Sequence, residues 1–507
     1  ARPGGFGGPH LAGSPRGAEL EVHSQAADET EHARLMKERT TAKVTAALHS
    51  SFPTRYWDHD LGPTRPVLAI AAVPEDLSSA EATPAPGTRA TDGTGAGGSA
   101  GVSAGGSAGT STSSDAEGSG GSGRSEGSED AAHEQVLHFR YVTMPAGRLV
   151  EWSVDRTGSR ALVAMQDSRG DLLATADLYL LDLIGGQPPR LLREATAEVE
   201  FEPGEFSPDG MRVLIGRGRT WTQHASLSST VEVLDLATGD SVQVWPELDQ
   251  WVEPIWLDDA TLVATSDDQG RGSVWIGGID DPAPRRLAGG PEQDLAFSSA
   301  SIAGGAVIAV ASGIAVAPHP VRIDPATGAV EELPNPADAV EQVGSLTEIT
   351  ATAEDGTDLR AWLRAPEGDG PHPPVVFAHG GPGGSWNASF TDIMARTDRA
   401  VSRDDVDAER TAFAGGSYGG YMANWVAGHT GDRFRCIVTH ASLWDTATMG
   451  HTTDNAGWER PMREQNARYN PKDSVGDIVA PMLVIHGDRD YRVPIAQGHA
   501  LWYDLHE

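Results

Sequence analysis

One stretch constrains this chain more than any other: Gly415-Gly416-Ser417-Tyr418-Gly419-Gly420. Ahead of it Arg410 to Ala414 reads as a short strand, and behind it Tyr421 to His429 reads as a helix. The pattern Gly-x-Ser-x-Gly between a strand and a helix is that of a nucleophile elbow. Small residues let the sharp turn close, and the helix N-terminus aims its free N–H groups at the place where an oxyanion would form. The plain alternative for the same residues is an ordinary Gly-rich turn.

The surroundings of this stretch alternate between strands and helices. From about residue 342 the chain reads as a hairpin (Thr347 to Ala353, Thr357 to Ala365) and then a short apolar strand, Val375 to Ala378, of the kind a parallel sheet buries. A helix from Phe390 to Ser402 follows. After the elbow come a strand from Phe434 to His440, a strand from Met482 to His486 and a helix from Ile495 to Leu505. Residues 342–507 are therefore expected to form an α/β domain.

Residues 135–341 read differently, as short strands and tight turns. Trp152 to Gly158, Phe206-Ser207-Pro208-Asp209-Gly210 and Trp256-Leu257-Asp258-Asp259 each precede an apolar run. A second phrase, a strand ending in Asp and then a turn, recurs at Tyr179 to Gly186, Val231 to Gly239 and Val321 to Gly328. A period of roughly 50 residues predicts propeller blades of four strands, with a generic β-sandwich as the alternative. About four blades are visible, and further ones are expected before Ala1. Residues 1–80 read as a partial propeller segment with a helix between Asp28 and Leu48 and a strand from Pro66 to Val73. Residues 81–134 are Gly, Ser, Thr and Ala with scattered acids, a disordered insertion by composition.

The net charge of -34 argues against nucleic-acid partners, which need clustered Lys and Arg. No apolar run is long enough to span a bilayer, and no leader is seen at the non-Met start, so neither a membrane nor a secretory route is expected. The lone Cys436 cannot form an internal disulfide and reads as a buried small residue of a cytoplasmic protein. Asn387-Ala388-Ser389 matches a glycosylation sequon and is read as chance.

Two further motifs carry chemistry. His379-Gly380-Gly381-Pro382-Gly383-Gly384 follows the strand Val375 to Ala378. Its bare N–H groups, with that of Tyr418, would make a two-donor oxyanion hole. His486-Gly487-Asp488-Arg489-Asp490 follows the strand Met482 to His486. It places an acid after the nucleophile in chain order, where it would orient a histidine. A Gly-rich βα loop and a solvated charged loop are the plain readings of these two.

Together the three motifs resemble the prolyl oligopeptidase family of serine peptidases, in its acylaminoacyl-peptidase and dipeptidyl-peptidase-like branch. The resemblance covers nearly the whole chain and implies a partial N-terminal β-propeller followed by an α/β-hydrolase domain. It implies Ser417 as nucleophile, Asp490 rather than Asp488 as catalytic acid, and Gly381 and Tyr418 as backbone oxyanion donors. Arg492 lies where family members often bind a substrate carbonyl, and Trp444 and Trp458 are candidates for the S1 wall, with core packing as the alternative for both tryptophans. Short peptides are the implied substrates, no metal or cofactor is implied, and homo-oligomers are common in the family.

The chain departs from the family pattern twice. No residue fits the catalytic histidine: His499 and His506 read as helix-surface residues, and His379, His440 and His486 as structural. The expected place for the base is beyond Glu507. Gly381 and Ser417 are also close in sequence, with a strand and a helix of the fold absent around Trp386 to Ser389, so a truncated product is expected. The rival readings are a carboxylesterase and a catalytically dead propeller–hydrolase fragment.

Overall fold

The computed structural model describes residues 6–10, 16–44, 54–60, 62, 64–71, 140–166, 175–219, 225, 227–291, 293–313, 316–335, 344–381, 386, 403–456 and 462–507. The insertion 81–134, the helix expected over Phe390 to Ser402, the sequon and Trp458 lie outside these residues.

Alternation of apolar residues builds the first part of the molecule. Four successive antiparallel four-stranded sheets run from Arg148–Val154 to Val330–Glu332. In the strand Arg160–Gln166, Val163 packs with Leu149 and Trp152, while its neighbour Leu162 packs with Phe201, Phe206 and Val213 of the following sheet. Successive side chains of a strand point to opposite faces. Each sheet thus shares one core with the sheet before it and one with the sheet after it, as propeller blades do. Leu214, Trp256 and Leu262 make the next shared core, and Val263, Phe297 and Val307 the one after.

The same logic reveals a fifth sheet. Phe6–His10, Arg16–His23, Thr64–Ala71 and Arg140–Tyr141 pair as four strands, and Leu68 and Ile70 join the core of Trp152 and Val163. This blade is assembled across the low-complexity stretch, which hid it from a count based on the repeat. The helix Glu29–Thr41 lies between its second and third strands, N-capped by Asp28, whose carboxylate accepts from the Glu31 N–H at 2.8 Å.

The repeated phrases have a common physical basis. Asp182, Asp235 and Asp324 each accept at least two N–H groups of the turn that follows, so their carboxyls titrate below the usual range. Arg160 reaches the Gly210 carbonyl at 2.9 Å and Arg212 the Asp259 carbonyl at 3.1 Å. The sequence period is therefore the distance along the chain between bonded neighbours in adjacent blades.

The edge strand Val199–Phe206 carries Glu200, Glu202 and Glu205, whose carboxyls burial pushes upward; Glu202 adds its charge against Glu200. An acid raised in the folded state stabilises most below its unfolded pKa. That contribution is lost as pH rises through the folded value. Glu200→Gln is thus expected to raise Tm by about 1–3 °C at pH 8, and by nothing near pH 4, in paired calorimetric scans. An equal gain at both pH values would show that the gain does not come from titration.

The second part is a four-stranded parallel sheet, preceded by the hairpin Ser345–Thr352 and Asp358–Ala365. Its strands are Val375–Ala378, Ala412–Gly416, Cys436–His440 and Met482–Ile485, hydrogen-bonded in that order. Val376, Phe413 and Ile437 lie in one row across the sheet and pack on Ala423 and Ala427 of the helix Tyr418–His429. On the other face Val375, Phe377, Leu483 and Ile485 are exposed, so this sheet is covered on one side only among the described residues. Cys436 heads its strand on that open side and is exposed, which corrects its reading as a buried residue.

Candidate active site

The parallel register brings the strand ends level. Ala378 pairs with Gly415, and Gly416 with His440, which in turn pairs with Ile485. The Gly380–Gly381 loop, Ser417 and the turn bearing Asp490 therefore all leave the C-terminal edge of one sheet, where open α/β sheets place their ligands.

Each glycine of the elbow is explained by what a side chain there would strike. A Cβ on Gly415 would stand 2.1 Å from the Gly419 carbonyl oxygen, and one on Gly419 would stand 2.0 Å from that of Ala378. On Gly420 it would meet Ser442 Cβ at 2.6 Å, and on Gly416 the His440 ring at 3.3 Å. Ser417 itself holds φ 56 and ψ -120, a conformation that L residues rarely adopt. Its N–H donates to the His440 carbonyl at 3.0 Å, which ties the strained residue to the neighbouring strand.

The helix that follows begins at Tyr418 with no side chain capping its first turn. The Tyr418 N–H sits at the first helical position, where no intrahelical acceptor exists. Gly380 lies against Ser417 at van der Waals distance, 3.5 Å from its Cβ to the position a Gly380 Cβ would take. Gly381 has φ 116, which suits glycine, and both residues are exposed. Burial raises the Tyr418 phenol, and burial with two neighbouring phenols pushes Tyr421 up to about 12. Both hydroxyls stay neutral at physiological pH.

Asp490 sits on the turn after Met482–Ile485. One carboxylate oxygen accepts the Val493 N–H at 2.8 Å and the other lies 3.7 Å from His486 Nε2. His486 Nε2 is itself 2.7 Å from the Val493 carbonyl oxygen, and the ring is buried. This histidine braces the acid turn from inside. His379 Nδ1 lies 2.7 Å from the Gly380 carbonyl oxygen; His499 is exposed on the last helix, Ile495–Asp504, and His506 is exposed just beyond it. The acid strand stands two positions from the nucleophile strand. At about 4.8 Å per strand, that gap suits an imidazole hydrogen-bonded on both sides.

Two expected binding residues have other partners. Trp444 is fully buried and its indole N–H donates to Asp504 at 2.6 Å, so it belongs to the core rather than to a pocket wall. Arg492 Nε donates to Asp454 at 2.6 Å, and its guanidinium lies 4.1 Å from the centre of the Trp57 ring. The Trp57 N–H also donates to Asp454, and the Trp57 carbonyl accepts the Tyr491 N–H at 2.8 Å. Sequence reasoning missed Trp57 and Asp454. The only signal was the aromatic cluster Tyr56-Trp57, which stood outside every recurring phrase. Among the described residues no group of three His, Cys, Asp or Glu could hold a metal ion, and no helix is long and apolar enough to cross a membrane.

Residues 377–506 match the sequence model of the prolyl oligopeptidase family. The probable dipeptidyl-peptidase 5 of Emericella nidulans is 25% identical over 407 residues, covering 66% of this chain and 56% of that protein. The dipeptidyl-peptidase 5 of Porphyromonas gingivalis is 22% identical over 419 residues, 69% of this chain and 60% of that protein. The chain thus spans less than two thirds of either relative. Among solved structures, the Pyrococcus horikoshii acylaminoacyl peptidase superposes with a TM-score of 0.67, over 99% of this chain and 75% of that one, at 14% identity. A puromycin hydrolase gives 0.55 over 72% and 65%, at 18% identity. These likenesses establish the fold: a β-propeller followed by an α/β-hydrolase domain.

Proposed function

We propose, from the premise that residues 377–506 belong to the prolyl oligopeptidase family, that the protein is a serine peptidase acting on short peptides. Ser417 Oγ attacks the scissile carbonyl and gives its proton to an imidazole, a role assigned to none of the histidines described above; the C–N bond then breaks and the amine leaves with that proton. Water hydrolyses the acyl-serine by the same steps in reverse roles. The N–H groups of Gly381 and Tyr418 hold the oxyanion, each worth about 3 kcal/mol of transition-state stabilisation. Asp490 orients the imidazole and stabilises its charged form. Protein groups and water suffice for this chemistry.

The observation that carries the reading is the strained Ser417 just past the end of the strand Ala412–Gly416, with the Gly380–Gly381 loop at one side and the strand leading to Asp490 two positions to the other. The relatives' names, dipeptidyl-peptidase and acylaminoacyl peptidase, favour peptides over simple esters. The exposed lone thiol of Cys436 fits a reducing compartment, so we place the protein in the cytoplasm.

Labelling with a fluorophosphonate probe, read by intact mass and peptide mapping, tests this. One adduct is expected, on Ser417, and none in Ser417→Ala, where kcat should fall about 10⁶-fold. A folded protein that takes no label is a non-catalytic scaffold. Cleavage of simple esters with peptides untouched would make it a carboxylesterase.

A further inference from the structure

We propose that Trp362 is a positioning residue for the oxyanion loop, and that it is set in place by a turn of the propeller. The proposal rests on the serine-peptidase reading for its kinetic consequence, but not for its structural one.

The contacts form a continuous chain. Strands Thr261–Asp268 and Arg271–Gly278 are joined by Gln269 and Gly270, both at positive φ (57 and 76), the geometry of a tight two-residue hairpin. Asp267 closes the turn by accepting the Gly270 N–H at 2.8 Å. The turn bears on Trp362 of the hairpin Asp358–Ala365. A Cβ on Gly270 would stand 2.9 Å from Trp362 Nε1 and 3.0 Å from the Trp386 carbonyl oxygen. Arg271 covers the Trp362 ring at 4.8 Å and pairs with Glu348 at 2.9 Å, while Arg360 donates to Gln269 at 2.9 Å. Trp362 is thus gripped from the propeller side by charge and by shape.

Its indole N–H lies beside the same turn. It donates to the Trp386 carbonyl at 3.0 Å, and the Trp386 ring meets the His379 ring edge-on at 5.7 Å. His379 immediately precedes Gly380 and Gly381, and its Nδ1 lies 2.7 Å from the Gly380 carbonyl oxygen. Glycines give a loop many conformations, so a loop of this composition needs an outside anchor to hold an N–H at one point. Trp362 supplies that anchor at a residue whose ring touches the loop's first side chain. The donor is nine-tenths buried, so its removal leaves the Trp386 carbonyl without that partner.

The test is Trp362→Phe, which keeps an aromatic ring and removes the N–H. Gly270→Ala approaches the same bond from the propeller side and serves if the first variant folds poorly. Three readings are taken on each: fluorophosphonate labelling rate, the kcat and KM split on a peptide, and hydrogen exchange of the peptide covering residues 377–381. Labelling and kcat are expected to fall about tenfold to a hundredfold with KM unchanged, as for a misplaced catalytic group. Exchange at 377–381 should quicken while the rest of the chain stays as in wild type. Wild-type exchange at 377–381, or a rise spread evenly over the chain, overturns the proposal. Wild-type protein that takes no label sinks the serine-peptidase reading alone, and exchange then decides the positioning role by itself.

Discussion

Gly419→Ala is expected to melt the parallel sheet about 10 °C below wild type in calorimetry. The added methyl would lie 2.0 Å from the Ala378 carbonyl oxygen and 3.0 Å from that of His379. Both obstacles are backbone, and the strand that carries them is in register with the nucleophile strand. The clash cannot be relieved by turning a side chain. Either the helix Tyr418–His429 lifts from the sheet or Val375–Ala378 shifts away, and the core of Val376, Phe413 and Ala423 loosens in either case. That exceeds the about 1–3 kcal/mol of an ordinary overpacked site. The control is Gly476→Ala, where a Cβ would meet nothing within 4 Å. It should change stability by less than about 0.5 kcal/mol. Should Gly419→Ala melt like that control, the helix Tyr418–His429 is not seated against the strand Val375–Ala378.

The elbow was legible in the sequence because its determinants are local. Four glycines within six residues can be read off the chain, and each turns out to face a separate obstacle. The blades were legible for a related reason: the phrases that begin at Trp152, Phe206 and Trp256 recur at about the spacing of the bonds between neighbouring blades. What stayed hidden depends on distant partners. The first blade needs strands on both sides of a low-complexity stretch. Cys436 looked buried because a parallel strand usually is, yet its side of the sheet is uncovered among the described residues. Trp444 looked like a pocket wall until its buried indole was found to donate to Asp504. The bond between the Trp57 N–H and Asp454 joins residues 397 apart in the chain, and no short-range pattern announces such a pair.

That pair carries the remaining large effect. Asp454→Ala is expected to cost about 3 kcal/mol in chemical unfolding, within the range for breaking a buried ion pair. The Asp454 side chain is fully buried and serves both the Trp57 N–H and the Arg492 guanidinium, while Arg492 keeps 25% exposure, which softens the loss. The consequence for the site runs through Tyr491. Its N–H donates to the Trp57 carbonyl and its carbonyl accepts the Asp454 N–H, so Asp454 and Trp57 hold the turn next to Asp490 from two sides. Hydrogen exchange at Tyr491 should therefore quicken in Asp454→Ala. Arg492→Ala separates the two roles considered for this arginine. An arginine that binds a substrate carbonyl would raise KM and leave Tm alone. One that completes the Asp454 and Trp57 cluster would lower Tm, and a double-mutant cycle with Asp454→Ala should then show coupling of about 2 kcal/mol. Additive losses would mean that the arginine and the aspartate act independently, and that Trp57 holds the turn next to Asp490 through its backbone alone.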